Sequence, residues 1–223
     1  MISKIFLQQD DWLEESSSCN SSKEDFEILR WAGNKSLSVR SNLAYEFFQI
    51  TSPSCVIDLG CGTGQLLYKL IPLGSIDKLV GVEISPLAFN RLKVRCNGSR
   101  FELHNLGILE YLSLISSSPD LLFNSCGVAL IGVLQNCMHD PFDLLNQIIE
   151  VLKPSCLFLT TKSTSSKVEL DQFDPLLVGH SLFFTPELLN FFSSRGYSAI
   201  VREIVIVPSS RNFNICFMLK RDL

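Results

Sequence analysis

From residue 55 onward, short apolar runs alternate with segments of helical periodicity. The apolar runs predict five strands, at residues 55–60, 78–85, 100–105, 120–127 and 156–162. The segments between them predict helices at 64–74, 86–98, 107–116 and 140–152. Strands joined in this way by helices predict an α/β fold, in which a doubly wound parallel sheet carries helices on both faces.

The carboxyl-terminal part follows a different pattern. After a helix that begins at Thr185, two apolar runs at 199–207 and 213–219 have only Pro208 and four polar residues between them. This spacing predicts an antiparallel hairpin at the edge of the sheet, which brings the predicted sheet to seven mostly parallel strands.

The amino-terminal fifty residues are predicted to form a helical lid that belongs to the same domain. Residues 1–22 include a Ser-rich acidic patch that is typical of a loosely packed segment. Two helices are predicted after it, one from Ser22 to Gly33 and one over 36–49. The main domain is then predicted to span 51–223.

The turn after the first predicted strand reads "VIDLGCGTGQLL", residues 56–67. Three glycines in five residues carry a backbone-entropy cost that a plain connection does not need, so a bound nucleotide is the better explanation. The spacing Gly60-x-Gly62-x-Gly64 differs from the G-x-G-x-x-G of dinucleotide sites, which makes an NAD-linked oxidoreductase a poor fit. Glu83 ends the second predicted strand, where an acid can accept both hydroxyls of a ribose.

These motifs resemble those of the class I S-adenosylmethionine-dependent methyltransferases, whose Rossmann-like fold also ends in an antiparallel hairpin. The first motif matches over 56–64, and the resemblance extends over 54–219. It implies S-adenosyl-L-methionine as the cofactor. The cofactor-binding residues that it implies are Asp58, Gly60, Cys61, Gly62, Gly64, Glu83, Ile84, Asn105, Leu106, Gly107 and Asn124.

The chain departs from the family pattern at three places. Gly107 stands where the family has an acid that binds the adenine amino group. In this chain His104, Asn105 or the backbone would have to bind that group instead. The turn into the fifth strand, 153–156, reads Lys-Pro-Ser-Cys in place of the family's Pro-Gly-Gly. The segment 136–141 lacks the family's acidic and histidine pattern, so it supplies no general base by analogy.

His139 and His180 are the candidate catalytic bases, because small environmental shifts bring a histidine pKa near working pH. The alternative for each is a surface or structural histidine. Trp31, Arg40 and Tyr45 are candidate substrate contacts on the predicted lid, with a core tryptophan and a solvated arginine as the alternative.

The composition of the chain narrows the range of possible methyl acceptors. A net charge of −4 without Lys/Arg clusters disfavours nucleic acid and anionic membranes as partners. Eight cysteines with no C-x-x-C pair are typical of reduced, buried thiols, which together with the absence of a visible signal segment predicts a cytoplasmic protein without a metal site. The prediction is methyl transfer to oxygen or nitrogen of a small molecule; the alternative is a weak or inactive cofactor-binding partner subunit.

Overall fold

The computed structural model describes residues 3–6, 35–118, 125–137, 140–172, 181–205 and 214–222. Its strands are β1 (Ser3–Phe6), β2 (Cys55–Leu59), β3 (Lys78–Val82), β4 (Phe101–His104), β5 (Cys126–Ile131), β6 (Cys156–Thr164), β7 (Phe183–Phe184), β8 (Tyr197–Val205) and β9 (Asn214–Arg221). Its helices are α1 (Lys35–Thr51), α2 (Gln65–Leu70), α3 (Pro86–Arg95), α4 (Ile108–Ser117), α5 (Pro141–Leu152), α6 (Lys167–Asp171) and α7 (Thr185–Ser193). A 3₁₀ turn, Leu134–Asn136, follows β5.

The strands form one sheet in the order β1-β8-β9-β6-β5-β2-β3-β4, with β7 paired to the end of β6. Among the described strands β9 alone runs antiparallel, against β6 on one side and β8 on the other. The chain winds outward from β2 through β3 to β4 and then returns to β5, so the strand order reverses between β2 and β5. The predicted doubly wound sheet with a carboxyl-terminal hairpin is confirmed, and its reversal point is where open α/β sheets bind ligands.

Two short strands add to the seven predicted ones. Residues 3–6, for which no strand is predicted, form β1 and pair in parallel with β8. The hairpin is therefore not at the edge of the sheet, and the prediction of an edge hairpin is wrong. An uncovered β8 would present unpaired backbone N–H and C=O groups, which β1 satisfies.

The fourth strand lies further along the sequence than predicted. The prediction places it at 120–127, whereas β5 runs from Cys126 to Ile131, between β2 and β6. Val128, Ala129 and Leu130 are fully buried, because a central parallel strand is covered on both faces and so is apolar without alternation. Asn124, which the resemblance assigns to the cofactor site, lies outside the described residues, so its assignment stays a prediction.

Helix α1 is anchored to one face of the sheet. Its apolar residues Val39, Leu43, Ala44, Phe47 and Phe48 are buried in a core cluster with residues of α2, α3 and the sheet. Burial of each large side chain contributes roughly 1.5–3 kcal/mol. A second cluster under α4, α5 and α7 covers the opposite face.

Two further properties of the described residues bear on the sequence predictions. Their seven cysteines are free thiols, five of them buried. No helix in the described ranges is both long and apolar enough to cross a membrane.

Candidate cofactor and acceptor site

A cavity of about 370 Å³ opens at the carboxyl ends of β2, β3 and β5, at the reversal point of the sheet. Helix α1 forms another part of its wall. The lining residues are Leu37, Arg40 and Ser41 from α1; Asp58, Gly60, Cys61, Gly62, Thr63, Gln65 and Leu66 around the glycine turn; Glu83, Ser85 and Ala88 after β3; and Ile131, Gly132, Gln135 and Asn136 after β5.

The glycine turn is held against β3 by its backbone. The N–H groups of Gly60 and Cys61 both donate to the carbonyl of Val82, at 2.8 and 3.1 Å. Gly60 has φ +74°, and a Cβ there would lie 2.7 Å from Cγ2 of Val133. Gly62 has φ +55° and would meet nothing within 4 Å. The turn therefore needs glycine for its conformation, and at Gly62 it presents backbone to open space.

Glu83 is fixed at the end of β3 by two backbone hydrogen bonds. Gly62 N–H donates to Oε2 and Ser85 N–H donates to Oε1, both at 2.8 Å. Asn105 in turn donates from Nδ2 to the carbonyl oxygens of Glu83 and Ile84, at 2.8 and 3.1 Å. Each carboxylate oxygen keeps accepting capacity beyond its one backbone bond, so Glu83 can still bind two hydroxyl groups.

Asp58 lies at the bottom of the cavity and is 2% exposed. Burial, together with the negative charge of Glu83, raises its pKa to about 7. Burial also raises the pKa of the Cys61 thiol, with the charges of Asp58 and Glu83 adding to the effect. This corner of the cavity therefore favours a positively charged ligand group, whose charge would stabilise the ionised carboxylate.

The rim beyond Glu83 combines an apolar side chain with a glycine. Ile84 is 70% exposed, and a Cβ at Gly107 would lie 3.5 Å from its Cδ1. Gly107 N–H donates to Oε2 of Glu110 at 2.7 Å, at the start of α4. Its φ of −68° is an ordinary value. Gly107 is therefore not required by the backbone, and it leaves this rim without a carboxylate at that position.

A second group of polar side chains lies around Gly132. A Cβ at Gly132 would lie 2.8 Å from an Nη of Arg40 and 3.6 Å from Nε2 of Gln135. Burial lowers the pKa of Arg40 to about 10. Ser41 Oγ, Gln135 Oε1 and, on the glycine-turn side, Gln65 Oε1 are buried without a hydrogen-bond partner in the structure. Water or a bound ligand would satisfy such atoms.

The structure brings six of the predicted site residues together around the cavity: Arg40, Asp58, Gly60, Cys61, Gly62 and Glu83. Ile84, Asn105 and Gly107 form the adjoining rim. Gly64 is buried beneath the turn, Leu106 packs against the core, and Tyr45 packs against the cluster under α1 and does not line the cavity. Trp31, Asn124, His139 and His180 lie outside the described residues.

Sequence reasoning missed the wall that follows β5, which contributes Gly132, Gln135 and Asn136. The signal was present as the run "GVALIG", whose glycines bracket a buried strand. With that run as the strand, the next residues would have been placed at the ligand-binding edge. Ser41 is a small polar residue on a helix and carries no sequence signal of its own.

The site has a buried acid under a glycine turn and a second acid one strand away. Both lie at the reversal point of a doubly wound sheet. This arrangement defines a class of proteins that bind a nucleoside-type cofactor. Residues 50–178 match a family described as "Methyltransferase domain". The chain belongs to this family, and it is a class I methyltransferase that depends on S-adenosylmethionine.

Solved structures share this fold. The methyltransferase domain of bacterial CtHen1-C is 17% identical, with TM-score 0.62, and the match covers 85% of this chain and 100% of that one. The plantazolicin methyltransferase BamL, solved with a triazolic desmethylPZN analog and SAH, is 14% identical, with TM-score 0.64 and 90% and 91% coverage. The Haloferax volcanii complex of the Trm112 methyltransferase activator with a methyltransferase gives 14% identity, TM-score 0.62 and 88% and 94% coverage. Among curated proteins, none matches significantly.

Proposed function

We propose that this enzyme methylates a small molecule at nitrogen or oxygen, with its cofactor bound across the glycine turn. The observation that supports this most is the pair of acids, since buried Asp58 lies under the turn while Glu83 is fixed to the turn's Gly62 N–H. A cofactor with a cationic amino-acid end and a ribose matches that pair. No phosphate is needed to explain the turn.

Each polar group of this corner has a role in the proposal. Asp58 and the unpartnered Oε1 of Gln65 accept hydrogen bonds from the ammonium end of the cofactor. Glu83 accepts the ribose hydroxyls with its remaining lone pairs. Ile84 and Gly107 flank the adenine face. When bound, the cofactor supplies an electrophilic methyl group on a sulfonium.

A small acceptor is supported by the size and charge of the site. The cavity of about 370 Å³ is bounded by α1, so the space left beside a bound cofactor is limited. The chain's net charge of −4 also provides little attraction for a polyanion. BamL was solved with a triazolic desmethylPZN analog, so compounds of that kind belong in any acceptor screen.

One observation favours a second function, that of a partner subunit with weak or absent catalysis. The rim of the cavity has Gly107 where a carboxylate could receive the adenine amino group, and the carboxylate of Glu110 already caps the Gly107 N–H. Reduced cofactor affinity would follow from this loss. The intact pair of acids, in contrast, favours a catalytically active methyltransferase.

Two measurements test the proposal. Calorimetry should show binding of S-adenosylmethionine and SAH, and incubation with labelled cofactor and fractionated metabolite extracts should yield a labelled small product. Gly62→Leu should abolish binding because its side chain enters the open space of the cavity. Gly196→Leu is the matched control, since Gly196 also has a positive φ and open space but lies outside the cavity. Binding without any labelled product would favour the partner subunit, and binding that survives Gly62→Leu would refute the site.

A further inference from the structure

A lysine of β6 lies next to the part of the cavity wall that follows β5. Thr160, two residues before Lys162, pairs with Ile131 of β5, and its carbonyl accepts from Gly132 N–H at 3.0 Å. Ile131 and Gly132 both line the cavity. Lys162 therefore lies one strand beyond the cavity-lining end of β5, at the same edge of the sheet.

Lys162 faces the side of the sheet that α1 covers. Successive residues of a strand face opposite sides, and β6 pairs with β9 in unbroken register up to Lys162. Phe158 is buried in the core cluster with α1, whereas Leu157 and Leu159 belong to the cluster on the other side. Lys162, four residues after Phe158, therefore faces α1, the helix that carries Arg40.

Two positive charges lie near each other at this place. Burial lowers the pKa of Lys162, and the positive charge of Arg40 adds to the effect. Lys162 is half-buried, and among the residues that the structure describes no carboxylate raises the pKa of its ammonium. Water satisfies the hydrogen bonds of an ammonium, but the repulsion between two cations remains until an anion binds beside them. A bound anion is therefore stabilised here.

Lys162 is well separated from the acid that we propose binds the ammonium of the cofactor. Its strand is two places from β2, roughly 10 Å across the sheet. Asp58 and Phe158 both pair with Ala129, and Lys162 is four residues further on, roughly 13 Å along the strand. The carboxylate and the ammonium of the cofactor are attached to the same carbon atom. A cofactor held at Asp58 thus keeps its carboxylate closer to β2 than to Lys162.

We propose that Lys162 and Arg40 bind an anionic group of the methyl acceptor and that this acceptor is a small carboxylic acid. The inference rests on the proposed methyl transfer and specifies its substrate class. Lys162 donates a charged hydrogen bond to the carboxylate, and Arg40, which lines the cavity, adds a second positive charge. The nitrogen or oxygen that receives the methyl group belongs to the same molecule and lies between this carboxylate and the glycine turn.

Labelled methyl transfer to chemically treated metabolite extract tests the class of acceptor. The extract is separated on an anion exchanger near neutral pH, and each fraction is incubated with the enzyme and labelled cofactor. The acceptor should be retained on the column. Conversion of its carboxyl groups to amides, with a carbodiimide and methylamine that are then removed, should abolish labelling, whereas phosphatase treatment should not. Labelling only in the unretained fraction, or labelling that survives amidation, would overturn the inference.

Variants of Lys162 test the residue. With the retained fraction as substrate, Lys162→Met should raise KM about tenfold to a hundredfold, the effect of one lost charged hydrogen bond, and should change kcat less. Lys162→Arg should keep most of the affinity. Added salt should raise KM more in wild type than in Lys162→Met, because it screens the lost attraction. Lys220→Met is the control, since Lys220 is an exposed lysine at the other end of β6 and β9. Equal KM values in wild type and Lys162→Met would overturn the inference.

Binding measurements distinguish the acceptor from the cofactor. The SAH Kd of Lys162→Met should stay within about twofold of wild type, and so should the Kd of decarboxylated SAH. If Lys162→Met weakens the binding of SAH but not of decarboxylated SAH, the lysine binds the carboxylate of the cofactor and the inference is overturned. Absence of SAH binding in wild type would instead contradict the proposed function.

Discussion

Replacing Asp58 by asparagine should stabilise the protein without cofactor and weaken the binding of the cofactor. Asp58 is 2% exposed at the end of β2, and the charge of Glu83 lies close enough to contribute to its pKa shift. An asparagine at this position would keep the shape of the side chain and remove the buried charge. The same substitution removes the group that we propose binds the cofactor's ammonium.

The magnitude follows from the pKa of Asp58, which rises from 3.8 to about 7 on folding. Between these values the folded protein binds the proton that the unfolded chain has released, so the free energy of unfolding decreases as pH rises through this window. A shift of about three units at 1.36 kcal/mol each corresponds to roughly 4 kcal/mol above about pH 7, and to less than about 2 kcal/mol near pH 5. Asp58→Asn should recover most of this penalty at high pH.

Urea unfolding of the two proteins near pH 5 and near pH 8 measures the effect. Asp58→Asn should be the more stable protein by a few kcal/mol near pH 8, a difference of roughly 10 °C in Tm, and by clearly less near pH 5. Saturating S-adenosylmethionine should reverse the order near pH 8, because its positive charges stabilise wild type and not the variant. Asp77→Asn, at an exposed aspartate, is the control and should change neither property.

Two results would refute this reasoning. If Asp58→Asn is no more stable than wild type near pH 8, burial does not destabilise the ionised carboxylate. If the cofactor stabilises both proteins equally, Asp58 does not contact its cationic end.

Three further predictions concern the same cavity. Glu83→Gln should weaken SAH binding by tenfold or more, because a charged acceptor for the ribose hydroxyls is lost. The same change should lower the pKa of Asp58, so calorimetry across pH should show the pH dependence of binding shifted to lower pH. Gly60→Ala should destabilise the protein by about 1–3 kcal/mol more than Gly196→Ala in urea unfolding, since both have φ +74° but Gly60 alone would place its Cβ against Val133; equal losses would contradict the contact. Gly107→Asp should tighten SAH binding about tenfold relative to Gly107→Asn, because an acid could accept from the adenine amino group; equal affinities in calorimetry would place the adenine elsewhere.

The parts of the fold that could be predicted are those with local signals. Helix α1 is predicted at 36–49 and runs from Lys35 to Thr51, because its apolar residues recur at helical spacing. The glycine turn and the hairpin are predictable for similar reasons. Strand β1 could not be predicted, since four ordinary residues become a strand only through pairing with β8, two hundred residues further along the chain.

The site divides in the same way. The acids at the ends of β2 and β3 follow recognisable turns, so Asp58 and Glu83 could be named from sequence. Prediction of the wall after β5 required the exact end of a strand that is apolar on both faces. Because this strand was predicted too early in the sequence, Gln135 was not assigned to the site. Ser41 lines the cavity because α1 crosses it at that point, which no spacing in the sequence indicates.

The two walls of the cavity differ in a way that bears on catalysis. The glycine-turn wall combines two acids with backbone fixed by β3, and it suits a ligand that carries positive charge. The part of the wall that comes from α1 and the segment after β5 offers Arg40, Ser41 and Gln135, a cation with two neutral groups. A methyl group that leaves a sulfonium moves positive charge from the acidic wall toward the acceptor. The positive charge of Arg40 on that side disfavours an acceptor that is already cationic and favours one that binds neutral or anionic.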